Sequence, residues 1–578
     1  MKDQILKSFL NDFSQNYNLS HLEEDVQFEN FVNFNVISKL YPRDIDIDEL
    51  STGGSDDIGI DGIAIIVNGN IIKEEQDIDF FINHNGVLDV TFVFIQSKNQ
   101  NKFKGDAIGT FILGVKSFFE DEPILKENDR IFALRKLKEK IYKNSINFEK
   151  NPEIKLYFVS TGEWKEPENI INRASYELTY FKEKSLFVNN SPEDIIEFID
   201  AEKLKNIYRE ISRKVVKEVE FNNYVTLPDM QSEVKQSFIG SISANVFIDL
   251  IKDSEGNISR GLFFDNVRDY QGKNKVNKEI EATIKSHKKQ KLLPLLNNGI
   301  TIIAKKIDRI GQKMKLTDFQ IVNGCQSSHV LYENKSDITN DAYLILKVIE
   351  TKDQNIIEEI IRATNSQTEV KDEAFESLKP FHKELAEFYK AKNSNLKSQN
   401  IFYERRSKEY LNDVNVKPCQ VITLSSQIKS YVSTVLEQPQ STHRYFGELL
   451  YSNSGRMFNE KNKEMMPIYF LSSLMLNKLE FMLRNNIVSS RYKIYKYHII
   501  FLSYLALKIL KNEKGKELDV DEKILFIDDN KNLKSLFIKS CKVIKEAEQN
   551  YFSSEKSFNL TRNKEFTAKI KDILLQGN

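Results

Sequence analysis

One aspartate and one short Gln-Ser-Lys run set the chemistry this chain could perform. Asp61 opens an apolar run in SDDIGIDGIAIIV, and Gln96, Ser97 and Lys98 close another in VTFVFIQSK. Glycines and turn residues separate the two, so both read as buried strands with polar ends. Carboxylates are hard oxygen ligands for Mg²⁺ or Mn²⁺. Such a cation on a nonbridging phosphate oxygen neutralises developing charge and lowers the pKa of an attacking water. Strand alternation puts Lys98 on the same face as Gln96, where its ammonium can orient that water or stabilise a charged phosphorane. Asp61 is expected as the central metal ligand. The Gln96 side-chain oxygen and the Ser97 carbonyl would complete one side, and Glu29, on a preceding helix, would add a second carboxylate. The reaction implied is phosphodiester hydrolysis. Each residue alone has an ordinary explanation, a turn-forming Asp or a solvated strand-end Lys, and Asp56 and Asp57 stand close enough to substitute for Asp61. The ordered set carries the reading.

The elements that must position this set follow from the apolar pattern. Residues 20–41 predict a helix with Ser20 as N-cap, Glu23 closing a capping box, and Phe28, Phe31, Val32, Asn35 and Val36 on one face. Strands are expected over 61–67, 88–95, 154–161 and 185–190, and helices over 106–120, within 124–150 and after Ser191. This is an α/β domain over residues 1–205. A helical connector is expected over 206–225, an α+β region over 226–375 and a mainly helical region over 376–578. RDIDIDELS, with Asp44, Asp46 and Asp48, lacks the glycine of a calcium loop and reads as a solvated loop or edge strand.

Composition bounds the rest. The chain of 578 residues exceeds what one core supports. It is 40% hydrophobic and 29% charged, which reads as soluble and globular. A net charge of −1 confines any nucleic-acid surface to a local basic patch. Cys325, Cys419 and Cys541 are too far apart for a metal site, so a reduced, cytoplasmic setting is expected. The N-terminus lacks a signal-peptide core, and YHIIFLSYLALKIL (497–510) is too short for a bilayer, so no membrane partner is expected.

FENFV around Glu29, GGSDDIGID ending at Asp61, IQSK ending at Lys98 and the later YFVSTGEW together resemble the PD-(D/E)xK nucleases, in particular their Mrr-like branch. The resemblance covers roughly residues 20–200. It implies a restriction-endonuclease-like fold, with Asp61, Gln96, Lys98 and Glu29 as catalytic residues. Gln96 departs from the commoner glutamate and removes one charge from the metal site.

Further along, NVRDYQGKNKVN (266–277), LLNNGITIIA (295–304), IVNGCQSSHVLYE (321–333), RATNSQTEVKDEAFESL (362–378) and FYERRSKEY (402–410) follow one another in order. Asn323-Gly324 between a strand and a helix would leave free backbone N–H groups that suit phosphate. Asn297, Asn298, Asn323, Gln326, Asn365 and Gln367 could form an amide-rich pocket, with Arg268, Arg405 and Arg406 on phosphates. The same amides are common turn caps. Arg135 and Lys136 open a basic stretch in the α/β domain, and Lys285–Lys291 and Lys305–Lys315 are two more. His329 and His443 have no partner at metal spacing and read as core or surface histidines; Cys325, four residues before His329 but with no identifiable acid, reads as a buried structural thiol before a nucleophile. The five clusters resemble the AIPR family, named for abortive infection phage resistance, over roughly residues 225–510. That resemblance implies a bacterial antiviral protein with a phage-derived trigger. The combined expectation is a Mg²⁺- or Mn²⁺-dependent endonuclease acting on nucleic acid, DNA before RNA, with a sensing or restraining AIPR region. Double-strand cutting would call for a homodimer. The alternative is a catalytically inactive nucleic-acid or nucleotide sensor.

Overall fold

In the computed structural model, all residues are described except 42–44, 54–55, 149, 190, 213–214, 229–232, 254–255, 264–274, 312, 366–375, 378, 406–408, 411–412, 414, 512–514, 554–556 and 577–578. The N-terminal sheet is apolar on both faces, so its strands read as continuous hydrophobic runs. Its strands are β1 (Gly62–Val67), β2 (Asn70–Ile71), β3 (Val90–Lys98), β4 (Glu153–Ser160) and β5 (Ile196–Ile199), in the order β2-β1-β3-β4-β5. β1 runs antiparallel to β3, while β3, β4 and β5 are parallel. Ala64, Ile66, Val93 and Ile95 pack with α1 (Gln4–Asn16), α2 (Glu24–Leu40) and the helix Ala201–Ser212. The alternating Ile63, Ile65, Phe92 and Phe94 pack with α5 (Gly105–Phe119), α6 (Asp129–Lys143) and α7 (Glu168–Lys184). Between these lie the short α3 (Ile47–Leu50) and α4 (Glu75–Asn85).

Several local expectations are corrected. α2 starts at Glu24 with Glu23 as N-cap and no side-chain capping bond, so Ser20 closes no capping box. The described residues 185–189 are not a strand. Ser185 takes a left-handed conformation that ends α7, and the edge strand is supplied by Ile196–Ile199. The run after Ser191 makes one capped helical turn, Pro192–Ile195, before that strand. The segment 206–225 is not one helix. The helix Ala201–Ser212 packs on the N-terminal core, and β6 (Val216–Glu220) and β7 (Asn223–Thr226) follow. RDIDIDELS is neither solvated loop nor edge strand over its described residues. Asp46 caps α3, and both Asp46 and Asp48 sit in ion pairs with the C-terminal half. Asp44 lies outside the described residues.

A second sheet, in the order β6-β10-β9-β11-β8-β7, is formed with β8 (Val234–Ser243), β9 (Ile300–Ile310), β10 (Lys313–Asn323) and β11 (Tyr343–Thr351). Only the β9/β11 pair is parallel. Beyond residue 376 the described chain is mainly helical, with its own core around Phe470, Leu474, Ile500 and Leu507. The apolar run near residue 500 is the buried helix Lys496–Lys508. Among the described residues, no helix is long and apolar enough to cross a membrane.

One close approach fixes the loop before β1. Ile58 has φ +51° and is buried, an uncommon conformation for a β-branched residue. A Cβ added at Gly114 of α5 would overlap the Ile58 carbonyl oxygen. Gly114→Ala should therefore cost about 2 kcal/mol or more in urea unfolding. Gly105→Ala, whose Cβ would meet only the Arg173 side chain and Ile170 at ordinary distances, should stay within about 0.5 kcal/mol of wild type.

Candidate active site at the end of the N-terminal sheet

β1 begins where β3 ends, and that junction gathers the polar residues. Asp61 donates its backbone N–H to the Ile95 carbonyl at 2.9 Å, next to the Gly62–Ile95 register pair. This sets Asp61 against Gln96. Asp61 Oδ2 then accepts from Ser97 N at 2.7 Å, Ser97 Oγ at 2.8 Å and Gln96 Nε2 at 2.5 Å. Gln96 Nε2 also reaches the Ser97 carbonyl at 3.3 Å. Gln96 is buried at 2% exposure, so its amide has no solvent alternative. Lys98 ends the strand half-buried, and among the described residues it makes no ion pair within 4 Å.

α2 brings two residues from the opposite layer. Asn33 Nδ2 donates to the Asp61 carbonyl at 3.1 Å. Glu29, one helical turn earlier, accepts from Ser51 Oγ at 2.5 Å. Burial, reinforced by the Asp61 charge, raises the Glu29 carboxyl to about 7, against the lowering pull of Ser51 and Lys98. Burial also raises Asp61, opposed by Lys98 and by the Ser97 hydrogen bonds. Asp57 adds to both shifts. Two half-buried carboxylates that each resist ionisation, with one lysine as the compensating charge, are what a divalent cation would relieve.

The donor set fits such a cation only in a sparse form. Among the described residues no group of three or more His, Cys, Asp or Glu side chains is arranged to hold a metal. Asp61, Glu29 and the Ser97 carbonyl are hard oxygens, and Mg²⁺ commonly binds through one or two carboxylates with water filling the rest. Gln96 turns its nitrogen, not its oxygen, toward Asp61. Facing a cation, its amide would have to turn over. Asn33 and Ser51 were not singled out from sequence. Asn33 follows Glu29 by four residues, which puts both on one helix face, while Ser51 carries no such signal.

The Gln96 geometry makes a prediction. Gln96→Glu would set two carboxylates at hydrogen-bond distance without a donor between them. In EDTA the variant should lose about 2–4 kcal/mol at neutral pH, and Mn²⁺ should raise its melting temperature more than it raises that of wild type. Equal melting curves in EDTA would show that the two side chains do not meet.

The other candidates divide. Arg135 is buried and bonds Glu127 and Glu139, at 2.8 Å each, while Lys136 pairs with Glu139 at 2.8 Å. Arg135 is thus turned inward into a structural ion pair. Lys285, Lys305 and Lys306 also carry acidic partners. In the second sheet, Gly324 is the N-cap of the helix Cys325–Glu333 at φ +101°, where a Cβ would press on Ile300. Around that helix start, Asn297 Nδ2 donates to Ser327 Oγ at 2.8 Å and Asn277 Nδ2 to Gln326 Oε1 at 2.7 Å. Asn298 is exposed nearby and Asn323 ends β10. Arg405 is elsewhere, bonded to Glu358 at 2.7 Å. Arg268, Gln367 and Arg406, and the side chain of Asn365, lie outside the described residues. Cys325 is buried. His382 joins Tyr403 Oη at 2.6 Å and Glu376 at 3.3 Å in the helical core, where burial lowers its pKa.

A family model described as AIPR protein matches residues 263–556. The chain belongs to the AIPR family. The match covers the second half of the described sheet, the helix after Gly324 and most of the helical region, and it leaves the Asp61 junction outside. No curated protein and no solved structure matches this chain.

Proposed function

We propose that this AIPR protein acts in abortive phage defence as a metal-dependent endonuclease, with the N-terminal unit hydrolysing phosphodiester bonds, in DNA before RNA. Family membership supports the antiviral half of the reading. The nuclease half rests on one observation: Asp61, Gln96, Ser97 and Lys98 converge where β1 meets β3, with Glu29 held beside them from α2.

A bound Mg²⁺ or Mn²⁺ would polarise the phosphate and supply an acidified water. Asp61 and Glu29 would hold it, with the Ser97 carbonyl and the turned-over Gln96 oxygen on the same side. Ser97 N–H and Oγ–H fix the Asp61 rotamer, so the carboxylate is oriented before any ligand arrives. Lys98 carries the positive charge available to the attacking water or the phosphorane. The amide-lined helix start at Gly324 is our candidate for recognition of nucleic acid or of a phage-derived trigger, through Asn297, Asn298, Asn323 and Gln326.

A second reading has its own observation. Gln96 Nε2 at 2.5 Å from Asp61 Oδ2 already satisfies that oxygen without a cation, as in a nuclease-derived fold that only binds. The test is incubation of the full chain with plasmid DNA and with RNA in Mg²⁺, Mn²⁺ or EDTA, beside Asp61→Asn and Lys98→Ala. Metal-dependent cleavage lost in both variants supports the enzyme, and tight binding without cleavage supports the sensor.

A further inference from the structure

α3 is gripped from two sides by different halves of the chain. On its N-terminal side, Asp46 accepts from Asp48 N at 3.1 Å as the helix cap. Asp46 Oδ2 also meets Lys496 Nζ at 2.8 Å. Asp48 meets Lys493 Nζ at 2.7 Å and Arg484 Nε at 3.3 Å. Arg484 ends the helix Met466–Arg484 and Lys496 begins the helix Lys496–Lys508, so one corner of the AIPR-matched region supplies all three cations. Lys496, with Lys73 of the N-terminal unit and Arg484, holds Asp46 below the usual carboxylate range, and Lys493 and Arg484 do the same for Asp48, even though burial pushes the other way. On its C-terminal side, α3 runs directly into Ser51, whose hydroxyl donates to Glu29 Oε1 at 2.5 Å and whose backbone bridges Gly62. Thr52 N then donates to the Asp61 carbonyl at 3.1 Å. Other acid contacts to the helical half, Glu74 with Arg562 and Asp77 with the Tyr445 N–H, lead to α4 and not to the site.

We propose that the AIPR region sets the geometry of the candidate site through α3: the Asp46/Asp48 clamp on Arg484, Lys493 and Lys496 is a positioning device that holds Ser51 on Glu29. The metal half of this proposal rests on the nuclease reading above, and the mechanical half does not. A shift of the 484–496 corner withdraws the Ser51 hydroxyl and frees a Glu29 oxygen. A half-buried carboxylate clamp suits this task, because a missing partner leaves a poorly compensated charge and the segment must move. Asp46 and Asp48 are positioning residues in this scheme, since they touch neither the carboxylate pair nor any reacting atom.

Hydrogen exchange of the full chain tests the mechanical half. Asp48→Asn and Lys493→Ala, the latter at a half-exposed side chain, should speed exchange roughly tenfold over 45–50 and also over 51–62. Asp48→Glu should restore protection. Loosening confined to 45–50 and 484–496, with 51–62 still protected as in wild type, overturns the proposal, because the clamp is then only a domain contact. Mn²⁺ titration tests the coupling. Asp48→Asn and Ser51→Ala should change affinity in the same direction, and the double variant should change it no more than Ser51→Ala alone. Additive effects overturn the coupling. Absence of Mn²⁺ binding by wild type sinks the nuclease reading, while the exchange result still decides whether α3 transmits motion.

Discussion

On the nuclease reading proposed above, Lys98→Ala should lower metal-dependent cleavage by about a hundredfold or more and leave Mn²⁺ affinity within a few-fold of wild type. The split follows from what Lys98 touches. It ends β3 beside Asp61 and pulls both carboxyls of the pair downward, yet it offers no oxygen to a cation. On that reading its loss would remove the positive charge facing the attacking water or the phosphorane, and it makes Asp61 and Glu29 slightly harder to ionise. The first effect falls on turnover, and the second is a modest tax on metal binding. Asp61→Asn behaves differently. Asn retains one oxygen for Ser97 but loses the charge, so binding and cleavage should both fail. Single-turnover cleavage and Mn²⁺ titration on the same preparations separate the two. Cleavage by Lys98→Ala at the wild-type rate would place any hydrolysis elsewhere, with the Gly324 helix start as the next place to look. Cleavage by neither variant nor wild type, with nucleic acid still bound, would leave Gln96 as the mark of a binding module.

The strand-end cluster was legible because it depends on period and register alone. Asp61 opens one apolar run and Gln96 closes another, and once those runs pair antiparallel the two side chains must face each other. The long helices were legible for the same reason: α2, α5 and Lys496–Lys508 are apolar along faces that the structure buries. The edge of the sheet was not. SLFVNN and IIEFID are equally plausible strands by composition, and only a free place beside β4 selects Ile196–Ile199. Segment 206–225 has helical composition, but its second part pairs in a sheet, β6 lying against β10 about a hundred residues further along the chain.

Ion pairs were the larger blind spot. Asp46 and Asp48 look like surface acids because their partners, Arg484, Lys493 and Lys496, come more than 400 residues later. Arg135 looks like a phosphate ligand because Glu127 and Glu139 fall close in sequence without declaring which way the arginine turns. Ser51 carries no pattern at all. Its role depends on α3 ending where Glu29 passes. A charged residue states its sign in a sequence, but its partner is set by the fold.

Glu29→Gln should stabilise the metal-free protein at pH 8 and do little at pH 4.5. The sign follows from its raised carboxyl. The folded value of about 7 lies above the ordinary glutamate value of 4.5, so the folded state keeps a proton that the unfolded chain gives up. Below pH 4.5 both forms are protonated and Glu29 adds no penalty. As pH rises through that range the unfolded state ionises first, and stability falls until the folded carboxyl also ionises near 7. Across that span the loss is about 3 kcal/mol at most, and glutamine, which can still accept from Ser51, removes it. Urea unfolding in EDTA at the two pH values measures the difference. A variant that is less stable than wild type at both would show that Glu29 is held by contacts and not penalised by burial. At the proposed metal site the same proton would govern cation binding. A cation binds the ionised form, so wild-type Mn²⁺ affinity should climb up to about tenfold per pH unit toward 7 and flatten above it. Asp61, also raised, leaves part of that slope in Glu29→Gln. The difference between the two profiles therefore belongs to Glu29, and its disappearance would remove Glu29 from the metal site while leaving Asp61 in place.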